Sequence, residues 1–212
     1  MPFDSPQRLR VECSHSCSGC YYSMASSLHV ALLHFPIVDK TGRVTATSVT
    51  NLDVHDISRA SRTFGVERYW VVHPYSSMHR YVEKVMHFWQ KGFGSTYNPS
   101  RMEAMEFTRL AHDLGEVERT IEQEFPGREI VWVATCAKKW PNTIPYSRLR
   151  GWLEDPQENR IFCVVLGTGW GLDQSVMAEM DYILDPVWGP GDWNHLSVRA
   201  AAGIILDRLK GH

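Results

Sequence analysis

From Leu28 onward the sequence alternates apolar, β-branched runs with amphipathic segments of helical period, and this alternation constrains the fold more than any other feature. A strand buried on both faces reads as a continuous apolar run, whereas a helix laid on a sheet shows an apolar residue every three or four positions. Their alternation predicts an α/β domain: a mainly parallel sheet with helices on both faces. Strands are expected at 28–33, 68–72, 129–135, 161–166 and 181–184. A helix is expected over 54–64, capped by Asp53, with Ile57, Ala60, Ser61 and Phe64 on one face and Gly65 as its left-handed stop. The segment 75–91 reads as a helix running up to Gly92. Residues 100–125 read either as one helix or as a short strand near 106–111 followed by a helix, because Gly115 interrupts the pattern. A final helix over 195–209 places Val198, Ala202, Ile205 and Leu209 on one stripe against the sheet.

Residues 1–26 differ in character: polar, serine-rich and without sustained periodicity, they read as a flexible tail ahead of a single domain over 27–212. Cys13, Cys17 and Cys20 have the spacing of an iron–sulfur site in radical S-adenosylmethionine enzymes. A zinc site with His15 and a tail without metal chemistry are the competing readings, and the domain that follows favours no metal. Met24 stands just before the domain and could itself be the start of translation. Cys136 and Cys163 lie in apolar runs where reduced thiols act as small hydrophobes.

With 22 basic and 24 acidic residues the net charge is -2, which excludes a generally polybasic nucleic-acid binder but permits a local basic face. No window approaches the roughly 18 uninterrupted apolar residues of a membrane span. A soluble cytoplasmic protein is expected.

The sharpest local feature is Leu166-Gly167-Thr168-Gly169-Trp170-Gly171-Leu172, directly after the apolar run at 161–165. Glycines on alternate positions after a strand allow positive φ angles and close approach of backbone to a ligand. A dinucleotide fold places such a turn after its first strand, with most of the sheet still to come. Here it follows the fourth of five predicted strands. A second loop rich in Pro and Gly, 185–193, follows the last strand and leads into Asn194, His195, Leu196 and Ser197 at the opening of the final helix. Two such loops at neighbouring strand ends form a candidate adenosine pocket, although Asn194 and Ser197 can equally serve as helix caps.

Three stretches carry a family resemblance. The segment TNLDVHDISRASRTFGV at 50–66, the LGTGWGL loop and the GPGDWNHLSVRAAAGIIL end at 189–206 resemble, in order and spacing, the three motifs of the SPOUT class of S-adenosylmethionine-dependent RNA methyltransferases. The resemblance covers about 28–209 and is closest to small single-domain bacterial members related to the tRNA guanine-N1 methyltransferases. The first motif also resembles the asparagine-to-arginine signature of the 2′-O-ribose branch.

The resemblance implies a C-terminal trefoil knot, a cofactor held in a bent pose by three loops, and a homodimer that shares the acceptor site. The loops would be 135–140, 166–172 and 184–197. It implies cofactor contacts from Thr135, Leu166, Gly167, Thr168, Gly169, Trp170, Gly171, Ile183, Leu184, Leu196 and Ser197, with the glycines leaving room for the cofactor and Ile183, Leu184 and Leu196 packing on the adenine. Arg59 matches the catalytic arginine of the ribose branch, and orientation and charge stabilisation are its natural role, since guanidinium is a poor base. For a guanine N1 acceptor, Asp192 is the available carboxylate. Asn194 completes the catalytic candidates. Asn51, Arg59 and Arg62 are candidates for binding RNA, either tRNA or rRNA, with Arg43, Lys138, Lys139 and Arg148 as further phosphate contacts. Trp140, Trp170, Trp188 and Trp193 could stack on a base or pack within the knot. His55 and His195 stand as secondary candidates for a base, and the final helix with Arg199 as the dimer surface. A cofactor-binding SPOUT-like protein without catalysis, acting through a partner, is the competing function.

Overall fold

The computed structural model describes residues 26–212. The tail with Cys13, His15, Cys17, Cys20 and Met24 lies outside the described residues. In chain order the elements are β1 (Ser27–Leu33), β2 (Ile37–Val38), β3 (Val44–Thr45), α1 (Asn51–Thr63), β4 (Arg68–Val72) and α2 (Ser76–Gln90). There follow α3 (Phe93–Tyr97), α4 (Pro99–Met105), β5 (Thr108–Ala111), α5 (Leu114–Glu124), β6 (Ile130–Thr135) and β7 (Thr143–Ile144). The last are α6 (Tyr146–Glu154), β8 (Ile161–Gly167), α7 (Gln174–Ala178), β9 (Tyr182–Leu184) and α8 (Val198–Lys210).

Seven strands form one parallel sheet in the order β5-β4-β1-β8-β6-β9-β7, while β2 and β3 form a small antiparallel ribbon. The central strands β1 and β8 are buried on both faces, which is why they read as unbroken apolar runs. Alternate side chains feed two cores. Leu28, Val30 and Leu32 of β1 join Ile57 of α1, Val82 of α2, Leu149 of α6 and Ile205 of α8 on one face. Ala31 and Leu33 join Val117 and Ile121 of α5 and Val176 of α7 on the other. Each fully buried leucine or valine contributes roughly 1.5–3 kcal/mol by leaving water. No helix among the described residues is long and apolar enough to cross a membrane.

The segment 100–125 resolves into α4, a strand and α5, the second of the two expected readings. Gly115 does not interrupt a helix: it lies in the first turn of α5, which is capped by the Asp113 carboxylate. The helix expected at 54–64 starts three residues earlier. Its cap is Thr50, whose hydroxyl accepts from the Asp53 amide at 3.2 Å and donates to the Asp53 carboxylate at 2.6 Å. The reciprocal pair satisfies a free amide of the first turn and fixes Asp53. Thr50→Ala should therefore lower stability by about 1–2 kcal/mol in urea unfolding, and a change within error would mean that the cap is redundant.

The stripe of the final helix faces its own core: Ala202, Ile205 and Leu209 are buried, so these residues are not available as a partner surface. Arg199 also turns inward, to Asp53 at 3.3 Å and Asp56 at 3.4 Å, and ties the start of α8 to α1.

Two buried histidines give the fold a pH dependence. His29 is held down to about 3 and His34 to about 4, in both cases chiefly by burial, with nearby positive groups adding to it. Both lie below their ordinary value of 6.5, so the unfolded chain takes up protons first as pH falls. Their contribution is complete above pH 6.5 and is lost on acidification toward about 4 and about 3. Moving from pH 7 to pH 5 should cost on the order of 1–2 kcal/mol per histidine in denaturant unfolding. His29→Gln should flatten that dependence; an equal slope in the variant would contradict this assignment.

Candidate functional site

The three predicted loops leave adjacent strands. Residues 136–142 follow β6, 168–173 follow β8 and 185–197 follow β9, and these strands are neighbours in the order β8-β6-β9. All three loops therefore open at the carboxyl edge of the parallel sheet, where open α/β sheets receive ligands. They are also stitched together. Thr135 donates its hydroxyl proton to the Val165 carbonyl at 3.1 Å. The Asn194 side-chain amide donates to the Ala137 carbonyl at 2.9 Å, and Lys139 lies 3.6 Å from the Asp185 carboxylate. β9 pairs with β6 on one side and with β7 on the other, so it lies between two strands that are consecutive in the chain.

The glycine loop corrects one expectation. A Cβ on Gly167 would lie 2.8 Å from the Leu172 amide nitrogen, and one on Gly169 would lie 2.6 Å from Ile37 Cδ1 and 3.2 Å from the Val38 carbonyl. The space beside these two glycines is filled by the protein's own chain, not left open for a cofactor. Ribbon and loop exchange backbone hydrogen bonds: the Trp170 amide donates to Val38, and the Val38 amide donates to Gly171. Gly171 differs, with φ at +115° and nothing within 4 Å of a Cβ built there.

Several predicted contacts can act only through the backbone. Leu166, Ile183 and Leu184 are buried, the last two on opposite faces of the sheet, so Ile183 and Leu184 cannot pack their side chains on an adenine. Leu196 is 46% exposed and Trp170 66%, which leaves apolar surface at the loops. Trp188 and Trp193 are exposed as well, whereas Trp140 packs against the core. Ser197 is the N-cap of α8, where its hydroxyl accepts from the Ala200 amide. Asp192 is exposed on the last loop.

The RNA-binding candidates are placed less uniformly. Asn51 is the exposed first residue of α1. Arg59 is exposed and makes no ion pair among the described residues. It stands eight residues into α1, roughly 12 Å along the helix from its start. Arg62 is engaged by Glu103. Arg43, Lys138 and Lys139 are exposed, and Arg148 lies over the Trp152 ring at 5.0 Å. His55 is buried edge-on against Trp89, and His195 meets the edge of Trp193. Burial pushes the Cys163 thiol up, which keeps it neutral. No group of three potential ligands among the described residues could hold a metal ion.

A separate open cleft of about 390 Å³ lies between α2 and β5, lined among others by Glu83, Lys91, Glu106 and Arg109. Thr47 and His34, which belong to none of the motifs, meet the glycine loop from the ribbon side: Thr47 Oγ1 lies 2.6 Å from Thr168 Oγ1 and 3.1 Å from His34 Nδ1. The signal available in the sequence was the Asp39-Lys40-Thr41-Gly42 turn, which announces a hairpin just after the first strand.

A family model described as SAM-dependent RNA methyltransferase matches residues 27–211. A protein of Aquifex aeolicus without assigned function is 42% identical over 183 residues, 86% of this chain and 88% of the relative. A tRNA (guanine-N(1)-)-methyltransferase of Nitratidesulfovibrio vulgaris is 40% identical over 185 residues. That match covers 87% of this chain but 42% of the relative, so the chain spans less than half of that protein. Among solved structures, a SpoU methyltransferase from Streptomyces viridochromogenes in complex with AdoMet matches with a TM-score of 0.50 at 16% identity, over 86% of this chain and 56% of that one.

Proposed function

Because this chain belongs to the S-adenosylmethionine-dependent RNA methyltransferases and has the SPOUT fold, we propose that it methylates a nucleotide of tRNA, with its cofactor seated among the loops after β8, β6 and β9. The observation that carries this reading is the meeting of those loops at one carboxyl edge. The residues there fit the cofactor: exposed Leu196 and Trp170 offer apolar surface to a purine, and the opening at Gly171 leaves backbone within reach. Bound S-adenosylmethionine supplies an electrophilic methyl group on a sulfonium.

The chain's own residues then have three tasks: to hold the acceptor in line, exclude water and take up one proton. Arg59 would orient the acceptor nucleotide and its phosphate. We infer a homodimer in which Arg59, exposed and in no ion pair among the described residues, would serve the cofactor site of the second copy. Exposed Leu52 at the start of α1 and exposed Leu196 just before α8 supply apolar surface for that contact. Asp192 would accept the proton from a guanine N1 acceptor, Asn51 would bind the nucleotide, and Asn194 would keep the last loop against Ala137. The insertion of β9 between the earlier, consecutive strands β6 and β7 supports a C-terminal segment threaded as a trefoil knot. The name of the Nitratidesulfovibrio relative supports tRNA as the substrate, and with it a cytoplasmic location.

Transfer of tritiated methyl from S-adenosylmethionine to unmodified tRNA and, in a parallel reaction, to unmodified ribosomal RNA, followed by nuclease digestion, tests this directly. Label in one tRNA nucleotide is expected, and digestion tells a base nitrogen from a ribose oxygen. Label in ribosomal RNA alone would overturn the choice of tRNA.

A further inference from the structure

The glycine loop is held by a chain of side-chain hydrogen bonds whose direction can be deduced. Thr168 donates its single hydroxyl proton to the Leu33 carbonyl at 3.2 Å, so in its 2.6 Å contact with Thr47 it must accept. Thr47 then spends its own proton on Thr168 and must accept from His34, whose Nδ1 lies 3.1 Å away. His34 is therefore the Nδ1–H tautomer, and the order runs His34 to Thr47 to Thr168 to the end of β1.

The other side of Thr47 is fixed in the same way. The Tyr75 amide donates to His73 Nδ1 at 3.0 Å, so the His73 proton is on Nε2 and is donated to the Thr47 carbonyl at 3.1 Å. The His79 Nε2–H donates in turn to the His73 carbonyl at 2.6 Å. His34 and His73 directly follow β1 and β4, and the backbone of each is bound to the neighbouring strand, so the donors stand on rigid elements. His34 is fully buried, and its Nε2 has no partner, so its one side-chain hydrogen bond goes to Thr47.

We propose that His34 and Thr47 are positioning residues that hold Thr168, and through it the 166–172 loop, in the geometry that receives S-adenosylmethionine. The proposal rests on the reading that this loop is part of the cofactor site. The ribbon packs against Gly169 and holds Trp170 and Gly171 by backbone hydrogen bonds. The hydroxyl tether extends that hold to Thr168, whose two glycine neighbours have no side chains to make such a bond. Thr47 Cγ2 also lies 3.6 Å from the position a Cβ would take on Gly169, so one residue meets two consecutive members of the loop.

Calorimetric titration of S-adenosylmethionine into wild type, Thr47→Val and Thr47→Ser tests this. Valine keeps the shape and loses the hydroxyl, whereas serine keeps the hydroxyl and loses the methyl. Affinity should fall about tenfold in Thr47→Val and stay within about twofold of wild type in Thr47→Ser. A packing role would reverse that order and overturn the proposal, as would equal affinity in Thr47→Val and wild type. Thr47→Val combined with Thr168→Val should bind no more weakly than Thr168→Val alone, because both break one tether; additive losses would also overturn it. Failure of the wild type to bind would instead refute the cofactor site itself.

Discussion

Replacing Gly169 with valine is expected to abolish measurable binding of S-adenosylmethionine and to lower the melting temperature. Two independent costs act at this position. The residue has φ at +59°, which a β-branched side chain adopts only with strain. Its Cβ would also be driven to 2.6 Å from Ile37 Cδ1 and 3.2 Å from the Val38 carbonyl. The Ile37 methyl can shift, but the Val38 carbonyl belongs to the ribbon that holds the Trp170 amide. Relief must come from parting loop and ribbon, and the combined cost is roughly 2–5 kcal/mol. Loss of binding should exceed about 100-fold, since the loop would no longer be presented in one geometry. Gly151→Ala is the control: it lies in α6, its backbone is not left-handed and a Cβ there meets nothing within 4 Å. Full binding by Gly169→Val, measured by calorimetry, would show that the cofactor does not depend on this loop.

Removal of the Arg59 side chain should have the opposite profile. Arg59→Ala should lose about 100- to 1000-fold in methyl transfer while binding S-adenosylmethionine as the wild type does. The guanidinium is exposed and enters no ion pair among the described residues, so its loss should leave stability unchanged. Arg59→Lys should recover only part of the rate, because an ammonium cannot present the planar donor pair of arginine to a phosphate or hydroxyl. Single-turnover rates with saturating cofactor separate the two effects. A normal rate in Arg59→Ala would remove this residue from the acceptor site. In the proposed dimer, mixing Arg59→Ala with Gly169→Val should restore some activity, because one subunit would contribute an intact loop and the other an intact arginine.

Much of this fold is legible before any coordinates. Runs such as 161–166 announce strands because β8 lies in the middle of the sheet, covered on both faces, and burial of that kind leaves no room for polar residues. The start of α1 is less legible. Thr50 and Asp53 are both good caps, and the first apolar residue of the helical pattern, Val54, draws the boundary toward Asp53; only the geometry shows that the two act as a pair. Two-residue strands such as β2 and β7 carry no periodicity at all, so the ribbon that grips the glycine loop is visible only as a turn signal.

The candidate site divides along the same line. That three loops gather at one edge follows from strand order, and the motifs at 166–172 and 189–206 include two of those loops. The environment of each glycine does not follow from sequence, because a missing Cβ makes room equally for a ligand or for the chain itself. At Gly167 and Gly169 the chain takes that room. The inward turn of Arg199 was hidden for a related reason: an arginine at the start of a helix reads as surface until its partners, Asp53 and Asp56 on another helix, are seen.

Amide hydrogen exchange with and without saturating S-adenosylmethionine tests the location of the cofactor site most directly. The loops at 135–140, 166–172 and 184–197 should gain protection together, while the cleft residues at 106–110 should remain unchanged. Protection confined to 83–91 and 106–110, with the three loops unaffected, would contradict the central claim that adjacent strand ends build the cofactor site.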